Sequence, residues 1–473
     1  MIYIVVLTLF SGIFLFWNLG ATYLTNWDEA WYAEISRNML LRNDYIVPFW
    51  NNAPYFDKGP LYHWLSVIFY QFFPSWELAS RIPSALAGLG CILLTYKLGE
   101  LLFNKKTGFL AGLILASSIG FLYRSRIGAM DTLPSFLILS SFLSYFLGVK
   151  KKKYFILLGP SLGFLFLTKS GLVFYPLTVL VFLFLIKPGK KIFENYYLVT
   201  GAIVGLAIPA LWLVLGARES GKTFLDFYLN PLFWPLFKYG PVGEGLSRFS
   251  TEYLFYLFQG TKFWFIVFIP ALFINLIKSF KNNRFLFLSL AFIPYFLILM
   301  ATKEAGNWYL VPLYPIFALI TANFLTAFQE KFTPKAKGEF FLIAAILTLS
   351  IFQNIHFSSS FIVPESVAGE VRLSREAKRL TSDKETLIID DYYFPVASFY
   401  GERPIKVVRW QATDTALAIS KESYYKYLKE NDKVILLIKE SNLEEIKNDL
   451  PKLIFEIKER SGDHLLLVIR GVP

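Results

Sequence analysis

Apolar residues in this chain arrive in runs too long for a soluble domain to bury, such as 136–149, 174–186 and 340–352. Segments able to cross a bilayer, which takes about 20 apolar helical residues, fall near 2–20, 81–103, 107–123, 131–148, 154–168, 171–186, 194–216, 262–278, 285–302, 307–328 and 339–356. That pattern predicts a polytopic α-helical membrane protein. Only 17% of the residues are charged, against about 25% in soluble domains. Disordered, collagenous and disulfide-framework classes are excluded, and the single cysteine, Cys91, has no partner in the chain for a disulfide.

The net charge of +12 is unevenly placed. Up to His356 there are 29 Lys and Arg against 16 Asp and Glu, and beyond it 18 against 19. The excess sits on short connections: Lys105–Lys106, Lys150 to Lys153, Lys187 with Lys190 and Lys191, Lys278 with Lys281 and Arg284, and Lys331 with Lys335 and Lys337. Positive charge beside apolar spans marks cytoplasmic loops rather than a nucleic-acid footprint. The amino terminus is then expected inside, and the two long loops, 21–80 and 217–261, outside. No nucleic-acid partner is expected.

After residue 356 the texture changes. Stretches at 386–389, 405–408, 433–438, 452–457 and 465–469 read as strands, with helical stretches near 365–380, 414–429 and 441–449. The expected organisation is a membrane domain over 1–356 with a first outer loop at 21–80, then a soluble α/β domain over 357–473 on the outer side.

Chemistry-bearing residues concentrate on the outer loops, whereas the spans hold few ionisable groups, Lys97 being an exception near a span end. Transporters place such groups mid-span, so a lipid or polysaccharide transporter of the cell envelope is the alternative reading. Asn26 or Asp28 can cap a helix carrying Glu29 in its first turn. Trp27, Trp31 and Tyr32 suit an interfacial helix. Asp57, Lys58 and Pro60 open a second helix, whose amino end suits an anion. His63 reads as an interfacial packing residue. Arg124, Arg126 and Asp131 share the loop before the fourth span, where Asp131 can cap the next helix. Lys303 and Tyr309 flank the span at 307–328. Carboxylates beside cations suit transfer from a lipid phosphate: a carboxylate orients or deprotonates the nucleophile while cations stabilise the departing phosphate. There is no P-loop and no zinc-spaced Cys/His cluster in the sequence.

Asp28-Glu29-x-x-Tyr32-Ala33-Glu34-Ile35-Ser36-Arg37, then Phe56-Asp57-Lys58-Gly59-Pro60-Leu61, resembles the GT-C glycosyltransferases that use polyprenyl-phosphate sugars. The likeness is to the lipid A 4-amino-4-deoxy-L-arabinose transferases and the wider protein O-mannosyltransferase-like group. Arg81-Ile82-Pro83-Ser84-Ala85 and Tyr309-Leu310-Val311-Pro312-Leu313-Tyr314-Pro315 extend it. The resemblance implies about 11 to 13 transmembrane helices, outer interfacial helices and a bacterial inner-membrane location. It also implies inverting transfer of a sugar from undecaprenyl phosphate to a lipid A-like, other glycolipid, glycan or protein acceptor. Asp28 is implied as the essential acid with Asp131 as the second, and Glu29 lies beside Asp28 in the same motif. Lys58 and Tyr309 are implied at the donor phosphate, with Arg126 and Lys303 as further cations. A divalent ion near Asp57 is left open. Trp31 stands where the lipid A enzymes carry a basic residue, and the stretch 227–234 lacks their mid-chain His and Arg cluster, with Lys238 and Arg248 as its cations.

Overall fold

A computed structural model describes residues 2–186, 195–233, 250–302, 306–333, 336–362, 365–382, 385–390, 395–408 and 418–470. The chain divides into two compact units. One comprises 1–19, 56–65 and 81–361, and the other 20–55, 66–80 and 362–473.

The first unit is helical, as apolar sequence in a bilayer requires, because each backbone polar group must be satisfied internally. Among the described residues, six helices are long and apolar enough to cross a membrane: Trp76–Leu102, Thr132–Lys150, Tyr196–Tyr228, Asn283–Met300, Asn307–Phe332 and Ala336–His356. Two bent pairs raise the number to eight, and Ile2–Phe16 and Ser170–Ile186 are shorter apolar helices. The expected span at 107–123 is one of the bent pairs, Lys105–Ala116 and Ile119–Arg126 meeting at 66°. The other pair, Glu252–Thr261 and Phe263–Ser279, bends by 118°. The segment expected at 154–168 begins as the 3-10 helix Lys152–Leu157 and continues as the nine-residue helix Leu158–Phe166.

Bends expose carbonyls, and here one helix serves both of them. In Ala336–His356, Gln353 donates to the carbonyls of Ser117 and Thr261, and Asn354 donates to that of Ala116 at 3.1 Å. Ser117 Oγ accepts from Trp264 Nε1 at 3.0 Å. Each bend thereby finds polar partners inside an apolar interior, where an unmade hydrogen bond is costly.

Close approach of backbones fixes a second crossing. Gly159 and Gly163 face Gly201 and Gly205, two small-x-x-x-small pairs. A Cβ on Gly159 would lie 1.8 Å from the Gly201 carbonyl oxygen, and one on Gly163 would lie 2.4 Å from that of Gly205. The helix Tyr196–Phe233 also contains Gly221, whose φ of 69° is left-handed.

The second unit is built on a six-stranded sheet. Taking the hairpin β1 (Phe49–Trp50) and β2 (Ala53–Pro54) first, the sheet strands are β3 (Leu387–Asp390), β4 (Ile405–Val408), β5 (Ala418–Ile419), β6 (Lys433–Lys439), β7 (Ile454–Ser461) and β8 (His464–Arg470). Their spatial order is β5-β4-β3-β6-β8-β7. β5, β4, β3 and β6 run parallel, and β8 and β7 are antiparallel additions. Near-continuous apolar strands such as Leu387–Asp390 are what a sheet covered on both faces requires. Ile388, Leu436, Ile438, Leu465 and Leu467 pack with Tyr424, Leu428, Leu443 and Ile446 from the helices Lys421–Glu430 and Glu440–Asp449. The expected strands are present, as are the helices expected near 365–380 and 441–449. Within 414–429 the helix is Lys421–Glu430 and β5 takes 418–419, while 414–417 lie outside the described residues, and the helix Val396–Gly401 is additional.

The start of the first outer loop belongs to this unit. Its helix Asp28–Arg42 buries nine residues, including Glu29, Glu34 and Arg37, and is enclosed on most of its circumference. The hairpin turn places Asn51 and Asn52 at φ 50° and 63°, which asparagine tolerates. Asn51 exchanges two hydrogen bonds with the backbone of Ile405, at 2.7 and 2.9 Å, as a neighbouring strand would.

Candidate active site

The first unit gathers a charged cluster around Asp131. Asp131 precedes the helix Thr132–Lys150 but makes no side-chain cap bond to it. Its carboxylate, only 3% exposed, instead lies 2.5 Å from Lys169 Nζ and 3.4 Å from Arg124 Nη1. The capping role open to Asp131 in the sequence is replaced by an ion-pair role. The Thr132 hydroxyl donates to the Arg124 carbonyl at 3.1 Å, which closes the loop that brings Arg124 and Asp131 together. Arg124 reaches onward to Asn307 Oδ1 at 2.7 Å and stacks 5.1 Å above the Trp308 ring. Lys169 Nζ lies 5.8 Å from the centre of the Tyr309 ring. Pro312 and Pro315 bracket this stretch, which starts as the 3-10 helix Asn307–Leu313. Tyr253 Oη accepts from Gly306 N at 3.2 Å and ties down its start.

The Lys58 loop is stitched to the turn that carries Lys169. Gly59 N donates to Thr168 O at 3.2 Å, and Leu61 N donates to Leu167 O at 3.0 Å. The contact needs glycine, since a Cβ on Gly59 would meet Leu167 O at 2.2 Å. The Tyr228 hydroxyl donates to Lys58 O at 3.0 Å, and Phe56 packs edge-on against Phe224. Lys58 Nζ lies 2.6 Å from Asp57 Oδ2, with the Asp57 side chain 54% exposed. An exposed pair of this kind is weak and exchangeable, so an incoming phosphate can compete with Asp57 for Lys58.

In this unit Asp131 and Tyr309 both lie against Lys169, and the loop carrying Asp57 and Lys58 is hydrogen-bonded to the turn just before Lys169. Lys169 escaped the sequence reading. Its signal was a lone cation between two short apolar segments. Arg126 is committed elsewhere: its guanidinium donates to the carbonyls of Phe14 and Trp17 at 2.5 and 2.8 Å and lies 4.9 Å from the Phe361 ring centre. It closes the carboxyl end of the helix Ile2–Phe16 rather than joining Lys58. Lys303 lies outside the described residues, as do Lys238 and Arg248. Asp57 pairs with a lysine, and among the described residues no three His, Cys, Asp or Glu side chains are grouped to hold a metal ion. That donor set does not fit a divalent ion at Asp57, and no chemical step is assigned to one. His63 is buried and packs edge-on against Tyr62.

Asp28 and Glu29 lie in the second unit. Asp28 is the first residue of its helix and half-buried. The residue before it, Trp27, has φ 66° and ψ −127° and provides no side-chain cap. Glu29 is buried, and its carboxylate accepts from Thr25 N at 2.7 Å and Thr25 Oγ1 at 3.1 Å. Its placement is that of a brace at the helix start. Trp31, one turn after Asp28, packs against Trp50 and Tyr55 at ring separations of 5.2 and 5.5 Å. Burial raises the Glu34 carboxyl above its usual range, with Arg37 opposing the shift.

Residues 57–214 match the family described as dolichyl-phosphate-mannose-protein mannosyltransferase. An uncharacterized protein of Aquifex aeolicus is 27% identical over 357 residues, covering 71% of this chain and 67% of its own length. The undecaprenyl phosphate-alpha-4-amino-4-deoxy-L-arabinose arabinosyl transferase of Yersinia enterocolitica is 28% identical over 253 residues, 52% of this chain. That match spans 43% of the transferase's length. Among solved structures, ArnT from Cupriavidus metallidurans bound to undecaprenyl phosphate superposes with a TM-score of 0.81 at 16% identity, covering 98% of both chains. The chain has the polytopic GT-C fold with a C-terminal sheet domain. It resembles glycosyltransferases that use lipid-linked sugars.

Proposed function

We propose that this chain, similar in sequence and in fold to glycosyltransferases of lipid-linked sugars, is itself one. It moves a sugar from undecaprenyl phosphate onto a lipid, glycan or protein acceptor at the outer face of a bacterial inner membrane. Nothing observed favours the transporter alternative. The observation that carries the reading is the Asp131 cluster: two half-buried cations on one buried carboxylate, joined through Lys169 to the Lys58 loop and to Tyr309. Such a cluster leaves a net positive field where a departing phosphate gathers charge. The basic-loop pattern supports the orientation, with the amino terminus inside and residues after 356 outside.

In the proposed reaction an acceptor hydroxyl attacks the anomeric carbon. The carbon–oxygen bond to phosphate breaks, the configuration inverts, and polyprenyl phosphate departs with the bonding electron pair. Asp28 orients the acceptor and takes its proton. Lys58, exchanging Asp57 for phosphate, stabilises the leaving group with help from Tyr309. Asp131 holds Lys169 and Arg124 in place.

The test is transfer by the purified full chain in lipid nanodiscs. Undecaprenyl-phosphate sugars serve as donors, 4-amino-4-deoxy-L-arabinose and mannose among them, with lipid A and Ser/Thr peptides as acceptors. Asp28→Asn should abolish turnover while keeping undecaprenyl phosphate binding. Lys58→Ala should weaken that binding about 10-fold, or about 1.4 kcal/mol. Full turnover by a folded Asp28→Asn variant would overturn the assignment.

A further inference from the structure

In the second unit, two residues shortly before Asp28, Leu24 and Asn26, are gripped by the C-terminal domain, and Thr25 between them holds Glu29. Leu24 N donates to Tyr400 Oη at 2.9 Å, and that hydroxyl donates to Glu77 Oε1 at 3.0 Å. Thr25 binds Glu29, the neighbour of Asp28, through both its backbone nitrogen and its hydroxyl. Asn26 uses both ends of its amide: Nδ2 donates to Glu370 Oε2, and Oδ1 accepts from Val396 N at 3.3 Å. Glu370 is 5% exposed and sits on the helix Glu365–Leu380. Val396 begins the short helix that follows β3.

The location is informative. β3 and β6 are parallel neighbours at the point where strand order reverses, and in open α/β sheets the crevice at the carboxyl ends of such strands is where ligands are received. Here the amino end of the helix after β3 is capped by the chain's own Asn26. Between Asn26 and Asp28 stands Trp27, at φ 66° and ψ −127°, a backbone conformation that side-chain-bearing residues rarely adopt. Such geometry persists only where its surroundings over-determine it. The restraint includes the bond from Trp31 N to Trp27 O at 3.0 Å and the ties made by Leu24 and Asn26. The far end of the same helix is anchored too, since Arg37 Nη1 donates to Phe399 O at 2.7 Å and stacks 4.4 Å from the Phe399 ring centre.

We infer that Asn26 and Glu370 are positioning residues: through the left-handed backbone of Trp27 they fix the direction in which the Asp28 carboxylate points. The C-terminal domain thereby acts in the transfer step through Asp28. This rests on the proposed role of Asp28. Losing the tie leaves Asp28 present and its charge unchanged, and loosens the backbone that carries it. Misplacement by about 1 Å costs on the order of 10²-fold in rate.

The experiment uses the full chain in nanodiscs, with the donor and acceptor pair turned over by wild type. Asn26→Ala and Glu370→Ala should each lower kcat about 10²-fold, leaving the donor KM and the unfolding temperature close to wild type. Asn26→Asp should do the same by setting two carboxylates against each other. The double variant Asn26→Asp with Glu370→Gln rebuilds the bond with donor and acceptor exchanged, and should recover most of kcat. Arg37→Ala, which loosens the same helix at its far end, serves as the structural comparison and should lower the unfolding temperature instead. Independently of turnover, amide hydrogen exchange in the 24–30 peptide should rise in Asn26→Ala while β3 and β6 keep their protection. Wild-type kcat in Asn26→Ala, no recovery in the double variant, or unchanged exchange at 24–30 would overturn the inference. If Asp28→Asn keeps full turnover, the reading of Asp28 fails instead, which distinguishes the two.

Discussion

Asparagine at position 131 would keep the shape of the side chain and remove its charge. In the wild type that charge is shared by Lys169 at 2.5 Å and Arg124 at 3.4 Å, with side chains 19% and 11% exposed. At an effective dielectric of about 20, a unit pair about 4 Å apart is worth about 4 kcal/mol before desolvation is subtracted. Breaking such a buried pair costs about 3–5 kcal/mol, because the surviving charge stays buried and uncompensated. Arg124 keeps a second partner in Asn307, at 2.7 Å, so the strain falls mainly on Lys169. We expect Asp131→Asn to destabilise the chain by about 3 kcal/mol, and Lys169→Met to cost less because methionine needs no partner. The double variant should be more stable than Asp131→Asn alone, with a coupling energy of about 1–3 kcal/mol. Reversible unfolding in mixed micelles, followed by tryptophan fluorescence across the four-protein cycle, measures it. Undecaprenyl phosphate binding gives a second readout. Removing a negative charge should leave binding equal or tighter while turnover falls. Additivity of the two substitutions within about 0.5 kcal/mol, together with weaker phosphate binding in Asp131→Asn, would refute the electrostatic account.

Three further outcomes follow from the packing. Gln353→Leu removes the donor shared by the Ser117 and Thr261 carbonyls, and should cost about 1–3 kcal/mol in the same unfolding assay. Gly159→Ala drives a Cβ to 1.8 Å from Gly201 O; the folded yield from membranes should collapse, whereas Gly12→Ala, with open space around it, should be silent. Glu34 has a raised carboxyl pKa through burial, so the folded chain holds a proton that the unfolded chain has already lost. Stability should therefore fall as pH rises from the ordinary carboxylate range through the raised value, and Glu34→Gln should flatten that slope in unfolding temperature against pH.

The helical mass of the protein was plain in the sequence, because long apolar runs admit few other structures in a bilayer. The bends were not. Ser117–Ser118 and Thr261–Lys262 carry no proline, and what stabilises them is Gln353 and Asn354, residues 92 to 238 positions away in the chain. Asp131 and Lys58 could be picked out since charge is scarce on this chain and theirs lies on loops outside the basic set. Lys169 could not, since its partner is set by the tertiary fold and its neighbours read as lipid-facing. Asn26 was visible as a helix cap and turned out to cap a different helix, the one beginning at Val396. Local pattern identifies what a side chain can bond. Which group it finds is decided by topology.

The reach of Gln353 and Asn354 across both bends bears on how the protein is made. A chain emerges from the ribosome amino end first, at about 5–20 residues per second. Ser117 and Gln353 are 236 residues apart, so roughly 12 to 50 s pass between synthesis of the first bend and arrival of its partner. During that interval the half-built bundle carries open carbonyls at membrane depth. It must keep them at the translocon, near water, or straighten the helix until Ala336–His356 arrives. Biogenesis of the bundle thus has a late locking event, and a nascent chain stalled before residue 336 is the species a membrane quality-control protease should recognise.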